Sequence, residues 1–186
     1  MRIEDLVVEL SKDPFNPELN FKCALEYNRI NQTASAVSFY LRTAEYGDEV
    51  KDKEIIYMSL LKMALCFEDQ TDRQHTVINC WRQALIVDPH RPEAYFLMSQ
   101  HYERQKSWQE AYMWAEMGLR NLASDLPEYV GYPGIFALEF EKAVAGYWIG
   151  RYEECISLFK NLLASDIPET YKESVKGNLR ILNVAF

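Results

Sequence analysis

Apolar residues in this chain recur in pairs of helical stripes, and the pairs themselves recur. That restricts the fold more than any other feature, because stacked repeats bury each unit's apolar face against the next. Tyr95, Met98, Ser99 and Tyr102 fall at i, i+3, i+4 and i+7, one face of a helix. After the polar Gln105-Lys106-Ser107, a second stripe runs through Trp108, Ala111, Trp114, Ala115, Gly118 and Leu119, so the stretch predicts a helical hairpin. Upstream, Cys23, Ala24 and Tyr27 precede the turn Asn31-Gln32 and then Ala36, Tyr40 and Thr43. Between these two, Met63, Ala64 and Phe67 lead through a polar turn, Asp69 to Gln74, into Val77, Trp81, Ala84 and Leu85, closing at Asp88-Pro89. A weaker fourth copy reads Ala143, Tyr147, Gly150-Arg151, Tyr152, Cys155, Phe159 and Leu162, with Gly146 where a large residue is expected.

Small side chains at facing positions let helices approach to the near end of the usual interaxial range, about 8–10 Å. Aligning the position early in each second helix gives Ala36, Val77, Ala111 and Cys155, at steps of 41, 34 and 44 residues. The longer steps place insertions at Gly47 to Lys53 and at Asn121 to Gly134, where charge, proline and glycine collect. The chain therefore predicts one all-α, right-handed solenoid domain over residues 1–186. It comprises a half-repeat at 1–13, hairpins at 17–46, 54–89, 91–121 and 135–165, and a capping helix at 169–184. Ile3, Leu6, Val7 and Leu10 form the first apolar face, stopped at Asp13-Pro14, and Tyr171, Val175, Leu179 and Leu182 form the last. The start within a half-repeat and the apolar finish Val184-Ala185-Phe186 leave open whether the chain is whole or a piece of a longer protein.

Composition narrows the function. Gly and Pro number 14 where average usage would give about 22, so turns are few and a β-sandwich is disfavoured. Twenty basic residues against 28 acidic, with no basic run, argue against nucleic acid. The longest uncharged stretch, Ile30 to Leu41, has 12 residues, short of the roughly 20 a membrane span needs. Acids at Glu4 and Asp5 oppose a secretory signal, and a soluble, cytoplasmic chain is expected. Cys23, Cys66, Cys80 and Cys155 lack close spacing, and His75, His90 and His101 fit no ligand pattern, so free buried thiols and no metal are expected.

These residues resemble the tetratricopeptide repeat, over roughly residues 17 to 165. Tyr95, Ser99, Tyr102, Ala111 and Gly118 match its pattern in order, as do Trp81, Ala84 and Pro89 in the preceding hairpin. Three whole strings, NPELNFKCALEYNRINQTASAVSFYLRTAE, RPEAYFLMSQHYERQKSWQEAYMWAEMGL and YPGIFALEFEKAVAGYWIGRYEECISLFKNLL, look like the repeat segment of glycosyltransferase-related proteins of marine bacteriophages and large viruses. The resemblance implies an accessory module working in a host cytoplasm beside a sugar-transferring domain that holds its metal with Asp-x-Asp. None of the nine aspartates here forms that motif, so no catalytic residue carries over. Repeat proteins that clamp the carboxylate of a chaperone tail use Lys, Asn and Arg at set places. Here those places read Phe21, Leu25, Lys62, Glu93 and Leu97, and only Lys62 fits.

No glycine-rich phosphate loop and no Gly-x-Ser-x-Gly elbow occurs, so neither a cofactor nor catalysis is expected. Glu139 with Glu141, and Glu153 with Glu154, read as solvated surface, because such neighbours on a helix point apart. His101 reads as a core histidine. Trp81, Trp108 and Trp114 occupy packing positions, while Trp148 lies off that face. By repeat phase, a concave surface would be lined by Phe21, Lys22, Leu25, Asn28 and Arg29, then Leu61, Lys62, Leu65 and Glu68. Phe96, Gln100, Glu103 and Arg104 follow, then Phe140, Glu141, Val144, Tyr147 and Trp148. This mixture suits a peptide or protein partner in a groove. Direct glycan contact by Trp148, Tyr147 and the Tyr129 to Tyr132 loop is the alternative.

Overall fold

A computed structural model describes residues 2–68, 72–120 and 125–184. The polar turn predicted at Asp69 to Gln74, the insertion from Asn121 and the tail at Ala185 and Phe186 thus lie partly or wholly outside the described residues. Those described are all-helical, without a strand. The helices are α1 Ile3–Leu10, α2 Pro17–Arg29, α3 Thr33–Tyr46, α4 Lys53–Glu68, α5 Gln74–Val87, α6 Glu93–Arg104, α7 Trp108–Gly118, α8 Ile135–Trp148, α9 Tyr152–Ala164 and α10 Glu169–Ile181.

Local chemistry sets the boundaries. Asn16 caps α2, its side-chain oxygen accepting from the Leu19 N–H at 3.0 Å, and Pro17 follows at the first helical position, where a missing N–H is harmless. Three hairpin turns close identically. Asn31, Lys106 and Gly150 adopt positive φ of 58°, 59° and 84°. The next residue's N–H then reaches back to the carbonyl of Tyr27, Tyr102 or Gly146, each at 2.9 Å. This double-bonded Schellman turn satisfies carbonyls that the helix end would otherwise orphan.

The chain divides into two compact units, Met1–Pro89 with Leu126–Val130, and His90–Asp125 with Gly131–Phe186. In the first, α2 packs on α3, α3 on α4 and α4 on α5, while α1 packs on α2. Leu6 and Leu10 meet Cys23 in its core, and Tyr40, Tyr57, Leu61 and Trp81 are fully buried. In the second, α6, α7, α8, α9 and α10 pack in succession. Ala143, Cys155, Phe159, Leu162, Val175 and Leu179 form its core, with a smaller cluster at Ala111, Tyr112 and Ala145.

The small residues sit at the helix crossings. Ala36, Ala111 and Cys155 are fully buried and Val77 nearly so. The Ala111 carbonyl accepts a buried bond from Ser99 Oγ at 2.8 Å, tying α6 to α7. A Cβ on Gly118 would lie 2.8 Å from that of Tyr95, and one on Gly146 would lie 2.9 Å from Cys155 Sγ. Gly146 thus stands where a large residue is expected because α9 approaches too closely to admit one.

Candidate functional site

In each unit the first helices of successive hairpins touch one another, α2 with α4 and α6 with α8, so each pair presents a continuous strip of side chains. On α2, Phe21 is buried, while Leu25 and Asn28 are half-buried. Lys22 and Arg29 extend outward and pair with their helix neighbours Glu18 and Glu26 at 3.5 and 2.9 Å. A cleft of about 230 Å³ opens between Glu18, Phe21, Lys22, Lys51, Glu54 and Ile55. On α4, Leu61 is buried, and Leu65 and Glu68 are half-buried. Cys66 Sγ donates to Asn28 Oδ1 at 3.7 Å, linking the two helices.

Lys62 is the most committed of these side chains. Its Nζ donates to the main-chain oxygen of Tyr129 at 3.0 Å and pairs with Glu128 at 3.7 Å, leaving the side chain 11% exposed.

In the second unit Phe96 is buried edge-on to Tyr132, with ring centroids 5.4 Å apart. Gln100 Nε2 donates to Glu141 Oε1 at 3.2 Å. Glu141 is only 3% exposed, which corrects its reading as solvated surface: α8 turns it toward α6 rather than outward. Burial, then the hydrogen bond and charge of Glu103, push its carboxyl up to about 9, against the weaker pull of Gln100 and Arg104. Its Oε2 is buried without a hydrogen-bond partner, which is consistent with a carboxyl held in its neutral form. Glu139 is half-buried and its carboxyl is likewise raised by burial. Glu153 is exposed. Glu154 is half-buried and takes bonds from Tyr112 Oη at 2.9 Å and Lys142 Nζ at 2.7 Å.

Beyond Glu141 the strip becomes aromatic. Phe140 lies edge-on to Phe159 and Tyr171. Val144, Tyr147 and Trp148 line a cleft of about 230 Å³ with Phe159, Asn178, Ile181 and Leu182. Trp148 is 58% exposed and stacks on Trp108 at 5.0 Å and 13°. Tyr147 meets it edge-on at 5.2 Å.

Four inner positions named by repeat phase, Phe21, Leu61, Phe96 and Glu141, are therefore buried inside their own unit and present no surface as they stand. Two members of the proposed glycan loop, Val130 and Tyr132, are buried too, whereas Tyr129 is exposed. Phase reasoning missed Trp108, because stacking on a neighbouring hairpin's tryptophan leaves no sequence spacing to read. It also missed Glu128 as the partner of Lys62.

Cys80 and Cys155 are held up to about 11 chiefly by burial, which keeps both as thiols. His101 is buried, its Nε2 lying 2.8 Å from Gln105 Nε2, with its ring edge-on to Tyr102. Among the described residues no three His, Cys, Asp or Glu side chains gather as a metal would need, and no helix is long and apolar enough to cross a membrane.

No protein-family model matches the chain, and no curated protein sequence matches it. Solved structures do. A crystal structure of MamA superposes with a TM-score of 0.65 at 17% identity, covering 95% of this chain and 89% of that one. A second, of MamA protein, gives 0.63 at 15%, covering 99% and 86%. At such identities the likeness is one of fold, and it shows an all-α, tetratricopeptide-like helical repeat.

Proposed function

We propose that the chain is a non-catalytic scaffold that binds a peptide or protein partner along its first helices, in the cytoplasm and without a cofactor. The observation that carries this is the strip made by paired first helices on a tetratricopeptide-like framework. Half-buried Leu25, Asn28, Leu65 and Glu68 are flanked by Lys22, Arg29 and Lys62 in the first unit. Gln100, Glu103, Arg104, Phe140, Val144, Tyr147 and Trp148 form its counterpart in the second. Apolar contacts supply affinity there, the charged border supplies register, and the packed hairpins lower the ordering cost of binding. Panning a random-peptide library against the full chain tests it. Enriched peptides should lose binding to Leu25→Arg and keep it with Ile86→Arg, an exposed position on α5. A library that yields no peptide, or peptides indifferent to Leu25→Arg and to Trp148→Ala, would overturn the reading.

A second reading has its own support. The solvent-facing Trp148, stacked on Trp108 and bordered by Tyr147, offers a flat aromatic surface of the kind sugar C–H faces stack on. The three strings that resemble phage and viral glycosyltransferase-associated repeats suit an accessory module that steadies an acceptor. Added oligosaccharide should then quench tryptophan emission, and no change at millimolar sugar would end this reading.

A further inference from the structure

Five consecutive residues, Leu126–Val130, belong to the first unit although the sequence on both sides belongs to the second. They are non-helical and lie against α4. Glu128 gives its carboxylate to Lys62, Tyr129 gives its main-chain carbonyl to the same ammonium, and Val130 is 2% exposed. Tyr129 itself points outward, 71% exposed. Glu128 half-exposed but turned to Lys62, Tyr129 out and Val130 in give the alternation of an extended peptide held through one backbone oxygen and alternate side chains. Lys62 explains why an acid is needed. With the segment in place its side chain is 11% exposed, and an ammonium covered to that extent needs an anionic partner to offset its lost hydration.

We propose that the α4 face around Lys62 is a binding site for an extended peptide carrying Glu-x-Val or a close analogue, and that Leu126–Val130 occupies it in cis as a built-in competitor. This deepens the scaffold reading and rests on it. A tethered segment meets its site at an effective concentration in the millimolar range. A peptide in trans with the same contacts is therefore outcompeted until the tethered copy is weakened.

The test uses the full chain and a fluorescein-labelled, amidated Leu-Pro-Glu-Tyr-Val peptide, read by anisotropy. Glu128→Lys sets two cations against each other and should release the segment, tightening peptide binding by about tenfold or more. Lys62→Glu should abolish binding in either background, and the peptide Leu-Pro-Lys-Tyr-Val should regain it on Lys62→Glu. Thermal melts confirm folding, and Glu128→Gln serves in place of Glu128→Lys if that variant does not fold. Equal affinity of the intact chain and the released variant, or a Lys62→Glu variant that still binds the acidic peptide, would overturn the proposal. If library peptides bind through Leu25 while Leu-Pro-Glu-Tyr-Val binds in no background, the scaffold reading survives and the cis-occupied site does not.

Discussion

Replacing Glu141 with glutamine should stabilise this protein at neutral pH, although it removes a hydrogen-bonded polar group from the interior. The carboxyl sits at an ordinary 4.5 in the unfolded chain and is pushed up to about 9 when folded, by burial and by Glu103. Because the folded value is the higher one, the folded state holds a proton that the unfolded state has released. The group's favourable contribution is complete below pH 4.5 and is lost progressively as pH rises through 9. Within that window each pH unit removes about 1.4 kcal/mol, so at pH 7 the wild type has forfeited at most roughly 3 kcal/mol. Glutamine has the shape of the protonated acid. Its carbonyl can accept from Gln100 as Oε1 does at 3.2 Å, and its amide puts an uncharged donor where the buried Oε2 now lacks a partner. Glu141→Gln should therefore match the wild type near pH 4, exceed it by at most about 3 kcal/mol at pH 7, and keep gaining on it up to pH 8. That is roughly 5–10 °C in melting temperature for a chain of this size. Thermal unfolding followed by circular dichroism at pH 4, 6 and 8 measures it, and taking the difference between the two proteins cancels the other carboxylates. Parallel pH profiles, or a variant less stable at pH 8, would show that Glu141 is not a buried, protonated acid.

Other substitutions probe the packing and the site. Ala111→Trp, at the fully buried α6–α7 crossing, should destabilise by about 3 kcal/mol or more, beyond typical overpacking; an unchanged melting temperature would refute the alignment of the repeats. Lys106→Gly should stabilise by about 1 kcal/mol, because lysine holds φ of 59° there and glycine adopts it freely, so a lower denaturation midpoint would contradict the turn. Trp148→Ala should cost only about 0.5–1.5 kcal/mol, the worth of an aromatic stack, and should remove any ligand-induced change in emission; a change that persists places the ligand elsewhere.

Where burial and periodicity coincide, the fold is written in the chain. Ala36, Ala111 and Cys155 announce the crossings by their size and are the residues at which helices meet. The shared turn is only partly readable: Gly150 signals a positive φ, but Asn31 does so weakly and Lys106 not at all, since the turn's backbone bonds to Glu103 and Tyr102 hold it against its own preference. The site was less legible still. Neighbouring positions on a helix differ by about 100°, and the strip facing the adjacent first helix is as apolar as the one facing outward. Repeat phase therefore cannot separate Phe21, Leu61 and Phe96 from Leu25 and Leu65. Glu141 reads as solvated by type, and only its contact with Gln100 reveals the burial. Nothing near Lys62 in the sequence points to Glu128, because a pairing between residues that far apart leaves no periodic trace.

If the first helices, and not the second, hold the partner, a bound peptide should disturb them selectively. Amide chemical-shift mapping of the full chain, titrated with a peptide selected from the library, resolves this helix by helix. Perturbations should concentrate on α2 and α4 or on α6 and α8. Perturbations confined to α3, α5, α7 and α9 would contradict it.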